Sequence, residues 1–337
     1  MKASVKYILL LSLTIIIVSC IVSCGNSSDK YQPNQPIYAT LPPYSEVGSS
    51  NSNNCNHQNR TVFSKNTESG EIESIVACTN CGYSSSGYKY YHTQSDYNKA
   101  CVNGNKYSGE SKKIIINLNS NYNYSTFEFQ SNVDEIVFVG TEGQTNSNMK
   151  IKVLNRKSNI IFDFSNVNIS SQDTILISDE CDAKIIVRTH GNSNSFATQR
   201  AADGKNGDNG WTYYGQQTAH SGERGGDASD VFSVNGDIEF IVYSSISIHG
   251  GRGGNGGNGA SLTSVGPTSG GGGSGGNGGD GGDAIDAKGS VTVRGNTNLV
   301  DFEGGDGGYG GTGGYGRNQS SKASDGYKGN KGKSGLE

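Results

Sequence analysis

The chain has 337 residues, with 27 basic and 31 acidic side chains and a net charge of −4. This balance, with no basic cluster, speaks against a nucleic-acid partner, which calls for a basic patch. Apolar residues make up only 32% of the chain and glycine fills 51 positions, so a thick hydrophobic core throughout is excluded.

In chain order, Lys2 and Lys6 precede the run YILLLSLTIIIV, the basic start and apolar stretch of a secretory signal peptide. The unit Ile-Val-Ser-Cys then occurs twice, ending at Cys20 and at Cys24, and the chain turns polar at once with Gly25, Asn26, Ser27 and Ser28. These residues resemble the lipobox of bacterial lipoproteins. The resemblance implies cleavage before an acylated cysteine, Cys24 or alternatively Cys20, and an exported protein held by membrane lipid at the outer membrane or cell surface. An ordinary signal anchor is the competing reading. Cleavage before Cys24 removes Lys2 and Lys6 and takes the net charge from −4 to −6. Residues 1–23 then form the signal peptide and 24–54 the lipidated N-terminus and extended tether, which holds Pro33, Pro36, Pro42 and Pro43.

A cysteine module follows over residues 55–105. Cys55-x-His57 is separated by twenty residues from Cys78-x-x-Cys81, which is followed by Gly82. A Cys-x-x-Cys-Gly knuckle can aim two thiolates at one metal ion, and a pair two residues apart on a strand can complete a tetrahedron. The pattern resembles a small zinc ribbon with Cys55, His57, Cys78 and Cys81 as structural zinc ligands. His92 or Cys101 could replace His57. In an oxidising compartment the same thiols could pair as Cys55–Cys78 and Cys81–Cys101. Beyond Cys24 the cysteines are odd in number (Cys55, Cys78, Cys81, Cys101 and Cys181), so they cannot all be bridged within one chain.

From residue 110 the chain carries short β-branched and aromatic runs. IIINL starts at Ile114, IVFVG at Ile136, IIFDF at Ile160 and IIVRTHG at Ile185, in steps of 22, 24 and 25 residues. Interleaved runs start at Phe127, Ile151 and Ile175, in steps of 24. Two series sharing one period predict a repeating coil with at least two strands per turn. Alternation assigns Ile136, Ile160 and Ile185 to one inward column, Phe138, Phe162 and Val187 to a second, and Phe127, Ile151 and Ile175 to a third. Asp163 and Arg188 share an outward column and read as a solvated pair of little energetic worth. The spacing resembles right-handed parallel β-helices of the pectate-lyase-like type, a resemblance of period and not of a catalytic motif. The expected fold is all-β, with β-helix coils over 110–200 and coils interrupted by glycine tracts over 201–337.

Forty-one of the 51 glycines fall after residue 200, and they keep a period of three. GGRGGNGGNG runs from Gly250 and GGDGGYGGTGGYG from Gly304, whereas GKNGDNG from Gly204 and GYKGNKGKSG from Gly326 keep one glycine in three. A three-residue period suits an extended helix with three residues per turn, whose glycine faces admit a neighbouring backbone. Gly-Gly-x tracts have two bare faces and Gly-x-x tracts one, which suits the latter to an edge. The arrangement resembles polyglycine II bundles, as in phage tail-fibre-tip adhesins; a disordered linker is the alternative. GGDGGDAID from Gly278 matches a calcium-binding nonapeptide once, a match that a period-three tract followed by Asp produces by chance.

Anchor, tether and repeat together predict a non-enzymatic surface lipoprotein for binding, adhesion or structural display, with glycans or surface proteins as partners. A β-helix polysaccharide lyase or hydrolase is the alternative. Its candidate residues are Asp163, Asp179, Asp182 and Arg188, which form no acidic column in this register.

Overall fold

The computed structural model describes residue 55 and residues 57–67, 69–118, 126–179, 183–211, 217–262, 270–317 and 322–336. The signal-peptide and tether segments lie outside these, as do Cys20, Cys24, Cys181 and Asp182. The described chain is nearly all β. It opens with the hairpin β1 (Arg60–Asn66) and β2 (Ile72–Cys78), then β3 (Lys89–Tyr91) and a six-residue helix α1 (Gln94–Lys99). Strands β4 (Cys101–Val102), β5 (Lys106–Tyr107) and β6 (Lys113–Asn117) follow. No helix among the described residues is long and apolar enough to cross a membrane.

The chain then repeats a triplet of strands five times. The first is β7 (Thr126–Phe129), β8 (Glu135–Val139) and β9 (Asn146–Ser147). The second is β10 (Lys150–Leu154), β11 (Ile160–Ser165) and β12 (Asn168–Ser171), and the third β13 (Leu176–Asp179), β14 (Ile185–His190) and β15 (Ser193–Thr198). After a short antiparallel pair, β16 (Asn209–Trp211) with β17 (Gln217–Ala219), come β18 (Phe232–Val234), β19 (Ile238–Val242) and β20 (Ser245–His249). The last triplet is β21 (Ile285–Ala287), β22 (Val291–Gly295) and β23 (Val300–Glu303). Each triplet places one strand in each of three sheets, ordered β21-β18-β13-β10-β7-β5-β4, β22-β19-β14-β11-β8-β6-β3 and β23-β20-β15-β12-β9. All pairings between triplets are parallel.

The period-2 pattern of each strand sends one set of side chains inward. Phe127, Phe129, Phe138, Phe162, Phe164, Phe196, Phe232 and Phe240 are buried in one core. Their rings touch in series, Phe164 lying 5.5 Å from Phe138 and 4.9 Å from Phe196 between centroids. The inward columns differ from the expected register. Ile136 stacks on Phe162 and not on Ile160, a step of 26 residues that keeps parity. Ile160 does stack on Ile185. Ile151 stacks on Leu176, and Ile175 sits just before the strand, also buried, with its carbonyl accepting from Ile151 N. Corner lengths vary by up to three residues from turn to turn, so a constant period misaligns the columns.

In the second sheet, strands β6, β8, β11 and β14 are buried on both faces. The β1–β2 hairpin lies over its outer side, where Ile75, Ala77, Tyr88, Tyr90, Ile115 and Val137 form a separate small core. Strands β3, β4 and β5, which the sequence groups with the cysteine module, pair into the large sheets.

Six glycine-rich tracts lie between or after the last three triplets. Tracts 1 (201–208) and 2 (220–230) join β15 to β18, tracts 3 (250–262) and 4 (270–284) join β20 to β21, and tracts 5 (304–316) and 6 (323–335) follow β23. Tracts 1, 3 and 5 bond to one another in parallel, as in Gly204 N to Asn255 O at 2.8 Å and Gly256 N to Tyr309 O at 2.8 Å. Tracts 2, 4 and 6 form a second row in the same way, as in Gly225 N to Asn277 O at 2.9 Å and Gly278 N to Tyr327 O at 2.8 Å. The rows run antiparallel to each other, with Gly279 N to Gly254 O and Gly308 N to Gly279 O at 2.8 Å each. Every third N–H thus goes to the same row and every third to the opposite row.

The remaining N–H, that of residue x in Gly-Gly-x, donates to the side chain of the x residue in the preceding tract of its row wherever that residue is Asn or Asp. Tyr309 N donates to Asn255 Oδ1 at 3.0 Å, Thr312 N to Asn258 Oδ1 at 2.9 Å and Asn258 N to Asn206 Oδ1 at 2.8 Å. In the other row Asn330 N donates to Asp280 Oδ1 at 2.7 Å, and Asp283 N to Asp230 Oδ1 at 2.7 Å. An Asn, Asp or Ser at x therefore completes the pairing of a buried backbone.

Candidate metal centre and the buried ion network

The hairpin brings the predicted ligands together. Cys55 and His57 precede β1, and Cys78 ends β2 opposite Arg60, so all four residues meet at the open end of the hairpin. The knuckle Cys78–Gly82 is closed by Gly82 N to Cys78 O at 3.0 Å and Cys78 N to Tyr83 O at 2.8 Å. Gly82 has φ +72°, and a Cβ there would lie 2.2 Å from Tyr90 O, so the turn requires glycine. The side chain of Lys89 donates to Cys81 O at 2.6 Å and fixes the knuckle to β3.

The ligand atoms of Cys55, His57, Cys78 and Cys81 all lie within 4.8 Å of one another. Cys55 Sγ is 3.4 Å from Cys78 Sγ, and Cys81 Sγ is 3.5 Å from His57 Nδ1. Tetrahedral zinc with Zn–S near 2.3 Å places its ligand atoms roughly 3.8 Å apart, so this set fits the ion with little movement. Burial opposes ionisation of Cys78, but backbone N–H groups of Cys81 and Asn80 with the side chains of Cys55 and His57 outweigh it and hold its pKa near 6. Burial, with Cys55 and the charge on Cys78, pushes Cys81 up to about 12. One thiolate thus forms easily and suppresses the next, a conflict that a divalent cation removes.

The alternatives fare differently. Cys101 donates to Tyr97 O at 3.3 Å, and His92 bonds Tyr90 and Asn117, so neither belongs to the cluster. The Cys55 and Cys78 sulfurs are close enough to oxidise with modest movement, whereas Cys81 and Cys101 are not brought together.

At its turn end the same hairpin covers a buried ion network. Lys65, from β1, bonds Glu135 and Tyr88 and lies 3.5 Å from Asp163 Oδ2. His190 Nε2 meets Asp163 Oδ1 at 3.0 Å, while Asn66 N donates to His190 Nδ1 at 3.0 Å. The latter bond assigns the proton to Nε2 in the neutral ring. Arg188 lies 3.9 Å from Glu135. Burial opposes the charge on Glu135, but Lys65 and Tyr88 outweigh it and hold its pKa near 2.

Asp163 and Arg188 are therefore not a solvated pair. They do share a column, yet Asp163 is 0% and Arg188 4% exposed, because the hairpin covers them. Asp179 ends β13 in the first sheet, exposed and apart from Asp163 in the second, and Asp182 lies outside the described residues. Reading by period alone missed Lys65, Tyr88, Glu135 and His190. The available signal was a run of charged residues, Glu135, Asp163, Arg188 and Glu239, in consecutive strands of one sheet. Asp283, the aspartate of the nonapeptide match, accepts from Lys333 N at 2.6 Å as part of the tract ladder.

No protein-family model matches the chain, and neither curated proteins nor solved structures give a match.

Proposed function

We propose that this is an exported lipoprotein, acylated at Cys24 or Cys20 and tethered by residues 24–54, that displays a rigid binding or adhesion surface. The strand triplets would form a right-handed parallel β-helix, and the tracts a polyglycine II-like bundle let out from its turns. The observation that carries this reading is the bundle: six tracts joined by repeated backbone bonds, with exposed side chains on its outer faces. Such a frame holds side chains in fixed places at low entropic cost on binding. A structural zinc ion at Cys55, His57, Cys78 and Cys81 would knot the hairpin against the second sheet, since four protein ligands leave no position open for catalysis.

A display role is favoured over a lyase or hydrolase because Asp163, the candidate carboxylate on a strand, is wholly enclosed by Lys65 and His190. Membrane fractionation of Cys20→Ser/Cys24→Ser tests the anchor: release into the soluble fraction is expected, and continued partitioning with lipid would mean a transmembrane segment. Elemental analysis of protein prepared without chelator is expected to give one zinc per chain; metal-free protein with Cys55 and Cys78 blocked to alkylation would mean a disulfide instead.

A further inference from the structure

The tract ladder needs only an oxygen at each x position. Asp, Asn and Ser meet this need equally, and all three occur: Asp203 and Asp280 accept an N–H just as Asn206 and Asn255 do. The two rows nevertheless differ. In tracts 1 and 3 the acceptors include Asn206, Asn255 and Asn258; in tracts 2 and 4 they are mostly Asp and Ser, with Asn277 the one amide. Once Oδ1 is committed to the backbone, the group an asparagine still offers is its NH2. Folding does not ask for that nitrogen, so its repetition on one face calls for another cause.

We propose that this face, formed by tracts 1, 3 and 5, is a binding groove for a linear, neutral, hydroxyl-rich polysaccharide. The proposal rests on the display reading above and names its site and ligand class. The groove has a volume of about 620 Å³ and is lined by Asp203, Lys205, Asn206, Asn255, Asn258 and Tyr309. Two of its amides, Asn255 and Asn258, lie three residues apart on tract 3, roughly 9 Å along a three-residue helix, and Asn206 adds a third on tract 1. A periodic polymer with an acceptor oxygen on every unit matches a periodic row of donors. Tyr309, 60% exposed, also lines it, its ring held 4.8 Å from the Arg252 guanidinium.

Other polymers fit less well. A nucleic acid needs a strongly basic track, whereas Asp203 and Asp306 lie on this face of a chain whose net charge is −4. An added peptide strand needs open backbone edges, and here the backbone groups of tract 3 are used within the bundle while side chains point out.

The test is affinity electrophoresis of the detergent-solubilised full chain in gels containing an unbranched neutral glucan, a neutral galactan or mannan, a polyuronate, or no polymer. Asn255→Asp/Asn258→Asp keeps each Oδ acceptor but replaces each NH2 by an oxygen. Asp280→Asn makes the converse change on the opposite face. We expect retention by at least one neutral polymer, a tenfold or greater loss for the double variant at unchanged melting temperature, and no loss for Asp280→Asn. Equal retention of wild type and double variant would overturn the groove while leaving a glycan-binding protein. Retention by the polyuronate alone would overturn the neutral class. Binding to whole cell surfaces but to no polysaccharide would overturn the ligand class and spare the display reading; binding to neither would overturn both.

Discussion

The strand triplets and the glycine tracts solve one problem, packing successive turns of chain, in opposite ways. The triplets fill the interior with volume: Phe162, Phe164 and Phe240 are fully buried, and alternate residues face in. The tracts remove volume, so that backbone meets backbone. A Cβ on Gly256 would lie 1.9 Å from Gly276 O, and one on Gly254 1.8 Å from Ala202 O. In a strand the inward side chain provides the attraction. In a tract the gain is a completed set of hydrogen bonds, each worth only about 1 kcal/mol net but costly to leave unmade. The triplets should therefore be sensitive to deletion of atoms and the tracts to their addition.

The largest effect should come from the triplets. Phe164→Ala empties a site enclosed by Phe138, Phe162 and Phe196 and should cost about 4 kcal/mol. Urea denaturation measures it, and a loss below 1 kcal/mol would mean that the rings are not one continuous core.

Acid should next separate the hairpin from both regions. Glu135 titrates near 2 in the folded chain against an ordinary 4.5, so the unfolded state binds its proton first as pH falls. Its contribution, on the order of 3 kcal/mol, is complete above about pH 5 and is lost as pH drops from 4.5 towards 2. Hydrogen exchange at β1 and β2 should show this loss before exchange in the central sheets rises. Acid also frees a bound metal, so the comparison is with Glu135→Gln, which should be less stable at neutral pH and lack this step. Coincident acid profiles for the two proteins would remove Glu135 from the docking of the hairpin.

Gly256→Ala forces two backbones apart and should cost about 2–3 kcal/mol, whereas the same added methyl in a loop costs little. Asn255→Ala should cost about 1 kcal/mol, because it removes the acceptor of Tyr309 N; Asn255→Asp should not. By the three-residue period alone Asn255 points outward, which would make Asn255→Ala free of cost. The side chain points outward yet bends back to the next tract.

Much of the bundle was legible because its rule is local: a bare face every third residue is visible in a single tract. The triplets were legible in parity and in part of their register, as in Phe127 on Ile151, Ile160 on Ile185 and Phe162 on Val187, but the position of Phe162 over Ile136 depends on corner lengths that only three dimensions set. The clustering of Cys55, His57, Cys78 and Cys81 into a group that could hold a metal ion could be read from spacing. The ion network could not, because Lys65 and Asp163 are 98 residues apart and meet only where the hairpin folds over the second sheet.

The smallest effect is the most discriminating. In each Gly-Gly-x unit the first glycine abuts the following tract and the second abuts the tract two back, as Gly256 and Gly254 do. Among the described residues, tracts 1 and 2 meet no tract two back, and there the second position holds Lys205 and Glu223. Among the same residues no further tract packs on the outer side of tract 6, and there the first position holds Lys328 and Lys331. Each of these charged residues stands at a glycine register only where the neighbour is missing, so composition tracks position in the bundle. Lys331→Ala should then leave the melting temperature essentially unchanged, its exposed pair with Glu303 being of little worth. Its neighbour Gly332 is different: a Cβ there would lie 2.2 Å from Gly282 O, so Gly332→Ala should cost about 2 kcal/mol. Thermal melts of the two variants decide the matter. Equal costs would mean that tract 6 is not an edge, and equal tolerance that it is not packed at all.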